Sequence, residues 1–213
     1  MRRALTNASY AEAVAELSAR DPALGEIVAA WGAPPRWKRP QGFATLVLLI
    51  LEQQVSLASA QATFARLEDR AGAVEPDAVL ALGEAGSREA GLSRQKARYV
   101  RGLAEAVAGG TLDFRKIGRA DDEAVRAALI PIKGIGDWTV DIYLLTALQR
   151  PDVWPARDLA LQEAARALKG LDARPDEAAM LDIGEAWRPW RSVAARILWH
   201  RYLNTRRRRG AGN

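Results

Sequence analysis

Residues 130–139 read IPIKGIGDWT, and this stretch organises the rest of the chain. An acid-rich helical pattern runs before it, from Asp121 to about Ile130. A long apolar pattern follows, from Asp137 to about Gln149. The two patterns predict helix, tight turn, helix. A turn needs one glycine, and two glycines around Ile135 mean that something must come close to the backbone. Val140, Ile142, Leu144, Leu145 and Leu148 are apolar on several sides of the second helix, which is therefore expected in a core. Thr139 falls in its first turn, where helix N–H groups have no intrahelical acceptor. Gly134 and Gly136 carry no β-carbon to keep a ligand from those donors, and such donors bind phosphate well. The turn carbonyls can hold a monovalent cation that bridges to the same phosphate. Ile135 would pin the turn against both helices, and Lys133 adds charge beside it. The competing reading is a helix corner whose glycines serve turn geometry alone.

Working outward, nearly every segment reads as helix and none shows strand alternation, so the fold class is all-α. Ser9 with Glu12 looks like a capping box, and Asp21-Pro22 like an N-cap followed by proline at the first helical position. Residues 33–42, APPRWKRPQG, form a proline-rich basic connector. Phe43 to about Gln53 is apolar on most sides and predicts a short buried helix. Ser56 opens a helix that Gly72 closes, and Ser93 opens one that Gly109-Gly110 closes. RPDVWPARD reads as an irregular loop before a helix from Leu159 to about Lys169. The last helices are expected from about Pro175 to Trp187 and from Pro189 to about Asn204.

Composition narrows the chemistry. The 213 residues contain no cysteine, which excludes disulfides and cysteine-ligated metals. A single histidine, His200, argues against a histidine metal site or a Ser-His-Asp triad. Glu12 and Glu16 interrupt the start where a signal peptide needs an apolar stretch. The longest apolar run, Phe43 to Leu51, is too short to span a bilayer. A cytoplasmic protein with no membrane partner is expected. Eight arginines and no acid follow Glu185, so that end carries +8 of a total of +5, and residues 1–185 sum to −3. Such a basic stripe fits an anionic partner approached from one side, or else a solubilising tail.

KGIGDWT after an apolar helix resembles the helix-hairpin-helix of the DNA glycosylase superfamily named for that element and its Gly-Pro-Asp loop. LEQQVSLASA (51–60), GLSRQKARYVRGLA (91–104), VWPARDLAL (153–161) and WRPWRSVAARILWH (187–200) resemble its other stretches in order. Together they are similar to the alkylpurine branch, 3-methyladenine DNA glycosylase II, across roughly residues 42–204. The resemblance implies two helical lobes, 42–150 and 1–41 with 151–213, with double-stranded DNA in the groove between them. No obligate protein partner is expected, and a monomer is the simplest state. Longer relatives carry an N-terminal β-rich domain, for which the roughly 40 residues before the first match leave no room. Proline commonly stands where Lys133 precedes the Gly-Ile-Gly.

The resemblance assigns roles as well. It places the catalytic carboxylate at Asp158, at the start of a helix whose dipole and N–H groups favour negative charge. Asp137, Asp141 and Asp152 are the competing acids. Trp138 and Trp199 are expected in or beside the base pocket, where an aromatic face attracts a cationic alkylpurine by ~0.5–2 kcal/mol. Tyr143 and Phe43 are further candidate pocket walls. Gln54 is expected to fill the hole left by the flipped base, and Gln53 to reach the minor groove. Relatives that also cut the strand carry a lysine two residues after the second hairpin glycine. Trp138 stands there, which implies a monofunctional enzyme. The alternatives are a non-catalytic hairpin protein that binds damaged DNA, and a glycosylase for uracil or oxidised bases.

Overall fold

Side-chain caps set most of the helix starts. The computed structural model describes residues 4–211, with side chains as far as Arg208. Among the described residues there are twelve helices and no strand. Helix α1 (Asn7–Arg20) is capped by Thr6, whose hydroxyl accepts from Ser9 N while the Ser9 hydroxyl accepts from Thr6 N. The cap therefore lies three residues ahead of the expected Ser9–Glu12 box. Serine at the third helical position returns the hydrogen bond as glutamate would. Asp21 caps α2 (Pro22–Trp31) with proline at its first position. Its second carboxylate oxygen accepts from the buried Trp187 indole at 2.8 Å.

Helix α3 (Phe43–Glu52) is apolar on nearly every side and buries seven of its residues. Ser56 caps α4 (Leu57–Ala71), which Gly72 ends in the left-handed conformation. Next come α5 (Pro76–Glu89), broken at Gly83, and α6 (Arg94–Ala108), capped by Ser93. Asp113 caps the short α7 (Phe114–Arg119), and Asp121 caps α8 (Asp122–Leu129). Helix α9 (Asp137–Thr146) stops before the expected Gln149, which has φ 54° and donates through its amide to the carbonyls of Leu145 and Thr146. Helices α10 (Leu159–Lys169), α11 (Glu177–Glu185) and α12 (Arg191–Ala211) complete the order. Helix α12 runs past the expected end at Asn204 because arginine is a good helix former.

The chain divides into two compact units, and the division falls inside α9. One is Arg39–Tyr143; the other takes the chain up to Lys38 and again from Leu144. In the Arg39–Tyr143 unit, α3 packs on α4 and α6, α5 on α4 and α6, and α7 on α8. Leu46, Leu49, Ile50, Leu67, Leu103 and Leu129 are fully buried there. Each contributes about 1.5–3 kcal/mol.

In the other unit α12 packs on α1, α2 and α10. The wholly buried Arg196 ties α12 to the basic connector and to α9. It donates to the carbonyls of Arg36, Ser192 and Leu145 at 2.7–3.0 Å, and its guanidinium stacks over the Tyr10 ring. Burial pulls the pKa of Arg196 down to about 10, so it is still charged at neutral pH. No helix among the described residues is long and apolar enough to cross a membrane.

Candidate nucleic-acid interface and active site

The two hairpin glycines do different work. Gly134 has φ +95°, and a β-carbon there would lie 2.3 Å from the Tyr99 ring. That glycine is required by the turn itself. Gly136 has nothing within 4 Å of where its β-carbon would be, and the residue is exposed. Its missing side chain leaves the backbone at the start of α9 open to a ligand. Ile135 is buried beneath the turn, and Lys133 is exposed beside it. Arg126 of α8 pairs with Asp141 and lies 3.9 Å from Asp137, joining the two arms of the hairpin.

A glutamine locks the turn from below. Gln53 Nε2 donates to the Gly134 carbonyl at 2.9 Å and to Thr139 Oγ1 at 3.0 Å. One expectation changes. The Thr139 hydroxyl is engaged inside the turn and the residue is only 1% exposed, which leaves its backbone N–H as the group expected at a phosphate. The Gln53 amide supports the hairpin instead of facing a groove. The carbonyls of Leu129, Ile132 and Gly134 each accept one hydrogen bond, from Ile132 N, Ile135 N and Gln53. A carbonyl has a second lone pair, so each of these oxygens keeps acceptor capacity beyond that bond. Among the described residues no cluster of three His, Cys, Asp or Glu could hold a metal ion.

After α3 the chain turns sharply. Gln54 is exposed and has φ 59°, a left-handed backbone uncommon outside glycine. Lys96 holds the preceding turn by donating from Nζ to the carbonyls of Leu51 (2.7 Å) and Gln53 (2.9 Å). Burial lowers the pKa of Lys96 from the ordinary lysine value. Glu52, nearly buried, is clamped by both terminal nitrogens of Arg39 at 3.0 and 2.8 Å. These anchors keep Gln54 in its strained conformation at the surface, beside exposed Val55 and Leu57. Sequence reasoning missed Lys96, although its position was informative. It precedes Val100 and Leu103 by four and seven residues, on the buried stripe of α6.

Asp158 is the N-cap of α10. Its Oδ1 accepts from Leu161 N at 2.8 Å and from Trp199 Nε1 at 3.0 Å. The carboxylate is half-buried, and two fixed N–H donors from different helices orient it. The competing acids have arginine partners. Arg126 serves Asp141 and, at 3.9 Å, Asp137, while Asp152 is buried between Arg188 and Arg191 at 2.9 Å each. The Trp199 ring stands edge-on to Trp37, with centroids 6.5 Å apart and planes at 73°. Trp37, not among the expected residues, has φ 42° and is half-buried. A tryptophan set inside a basic, proline-rich connector was the signal for it.

Trp138 is half-buried at the second position of α9. Tyr143 and Phe43 are corrections. Tyr143 is fully buried, its hydroxyl accepts from Gly42 N at 3.0 Å, and burial pushes its phenol up to about 12. Phe43 is 6% exposed at the start of α3. Both are core aromatics, because the apolar faces of α3 and α9 turn inward at those positions.

A family model for the HhH-GPD superfamily of base excision DNA repair proteins matches residues 47–189. DNA-3-methyladenine glycosylase 1 of Schizosaccharomyces pombe is 29% identical over 166 residues, covering 76% of this chain and 73% of that protein. The solved structure of S. pombe 3-methyladenine DNA glycosylase in complex with abasic DNA has a TM-score of 0.82 to this chain. It is 28% identical, over 88% of this chain and 95% of that one. A DNA-3-methyladenine glycosidase from Bacillus halodurans is 32% identical over 95% of this chain and 93% of that one, with a TM-score of 0.76. The chain spans less of two Bacillus subtilis relatives, 44% and 35% of their lengths. With the hairpin, the capped aspartate and this match over most of its length, the chain belongs to the HhH-GPD superfamily of base excision DNA repair proteins.

Proposed function

We propose that this chain is a monofunctional DNA glycosylase that hydrolyses the N-glycosidic bond of alkylated purines in duplex DNA and leaves an abasic site. The observation that carries the reading is the Asp158 carboxylate, held between the Leu161 N–H and the Trp199 indole N–H. A target base must leave the duplex stack before its sugar can be reached. As the C1′–N bond breaks, the sugar gains oxocarbenium character, and a fixed carboxylate stabilises it. The same carboxylate can take a proton from the water whose oxygen bonds to C1′. A purine alkylated at N3 or N7 is cationic and leaves as a neutral base, so it needs no strong general acid. Trp199, edge-on to Trp37, supplies the kind of aromatic surface that attracts such a cation. Trp138 has no amine, so the reaction ends at hydrolysis with no Schiff base to the sugar.

The test is incubation with methylated duplex DNA, with chromatography of the released base and a parallel reaction in borohydride. The expected result is free methylated purine and no covalent protein–DNA adduct. Trapped adduct would remove the monofunctional assignment. Lesion binding without base release would leave a damage-binding protein.

Gln54, exposed on its strained turn, is the residue proposed to occupy the space of the flipped base. Gln54→Ala is expected to weaken binding to lesion duplex about tenfold, ~1.4 kcal/mol, with base release from single strands unchanged. Equal losses on both substrates would rule out filling of the duplex.

A further inference from the structure

The arginine run at the end of the chain is not a uniform tail. Helix α12 continues through it, and Arg206 and Arg208 meet different aromatic partners. Arg208 stacks over the Trp31 ring of α2 at 3.9 Å. Arg206 instead lies over the ring of Tyr202 at 5.6 Å and donates to its hydroxyl at 3.2 Å. That side of α12 faces α10 across an open groove of about 350 Å³, lined by Arg166, Arg201, Tyr202, Thr205 and Arg206. Ala164 and Ala167 keep the α10 wall low. Glu163, the acid in the groove, is taken by Arg166 through hydrogen bonds of 2.7–3.1 Å. The uncompensated charge therefore comes from Arg201 and Arg206.

The groove lies further along α10 and α12 than the contact between Asp158 and Trp199. Trp199 and Asp158 meet where α12 passes the first turn of α10, and both helices then run on in the same direction, Arg201 to Arg206 beside Glu163 to Ala167. At 1.5 Å per residue, Glu163 and Arg166 lie about 7–12 Å along α10 from Asp158. A DNA strand advances roughly 3.4 Å per phosphate, so this distance is two to three nucleotides. We infer that the α10–α12 groove binds the phosphodiester backbone of duplex DNA beside the reacting nucleotide, with Arg201 and Arg206 as its phosphate ligands and Thr205 as a hydroxyl donor. This assignment rests on the proposed glycosylase reading for the direction of the strand. Its chemistry, phosphate against an uncompensated arginine pair, does not require catalysis.

The experiment measures binding of the full chain to an undamaged duplex by fluorescence anisotropy across a salt series. Wild type is compared with Arg201→Gln/Arg206→Gln and with Arg20→Gln/Arg207→Gln. The last pair removes the same charge from exposed positions outside the groove. Each phosphate contact contributes about 0.9 to the slope of log K against log salt, so the groove variant should lose roughly two from that slope. Its affinity at low salt should fall at least tenfold, while the control stays near wild type. A wild-type slope in the groove variant, or an equal loss in the control, overturns the assignment. Base release by the wild-type protein on methylated duplex is measured in the same preparation. Its absence would sink the glycosylase reading separately from the groove.

Discussion

Asp158→Asn is expected to lower the single-turnover rate of alkylpurine release by at least about 100-fold while leaving the fold and DNA binding in place. Asparagine matches aspartate in shape, and its carbonyl oxygen can still accept from Leu161 N and Trp199 Nε1. It also caps a helix about as well as aspartate does. The substitution thus removes a charge and keeps the geometry. A carboxylate about 4 Å from a sugar cation is worth ~4 kcal/mol at an effective dielectric of 20. That corresponds to roughly a thousandfold in rate, and the 100-fold threshold allows for stabilisation that remains elsewhere. The measurement is base release with enzyme in excess, together with a thermal melt and a binding titration. A variant that folds, binds and still releases base at the wild-type rate would leave Asp158 as a helix cap only.

How much of this was legible beforehand depended on whether a residue acts locally. Asp21, Ser56, Ser93, Asp121 and Asp158 cap helices through backbone groups two or three residues away, and the sequence carries that signal directly. Helices α5 and α7 were not anticipated. The glycines at 83 and 86 interrupt the pattern of α5, and α7 has only six residues. Within the hairpin, GIG announced an approachable turn, but the separate duties of its glycines depend on Tyr99, thirty-five residues earlier. The same holds for Gln53 and Thr139, which are eighty-six residues apart and meet through a side-chain hydrogen bond. Burial misled in the other direction for Tyr143, since an aromatic near a functional motif looks alike from sequence whether it faces a ligand or the core. Long-range side-chain pairing was the part that periodicity and spacing could not supply.

The hairpin offers the second large effect, because neighbouring glycines should fail in opposite ways. Gly134→Ala is expected to destabilise the protein by about 2–5 kcal/mol. The left-handed backbone contributes ~1–2 kcal/mol of that and the collision with Tyr99 another ~1–3. The tyrosine ring is met at Cγ and Cδ2, close to its own backbone, so it cannot swing aside cheaply. Such a loss is a large fraction of the ~5–15 kcal/mol that holds a typical domain together, and the melting temperature should drop accordingly. Gly136→Ala has open space and no left-handed strain, so its melt should match wild type within about 1 kcal/mol. Its added methyl group would instead stand between the N–H groups at the start of α9 and an incoming phosphate. Duplex affinity should therefore fall about tenfold, with a shallower salt dependence. Paired melts and anisotropy titrations of the two variants separate the roles. If Gly136→Ala binds DNA as tightly as wild type, the open backbone at the hairpin is not where the strand is held.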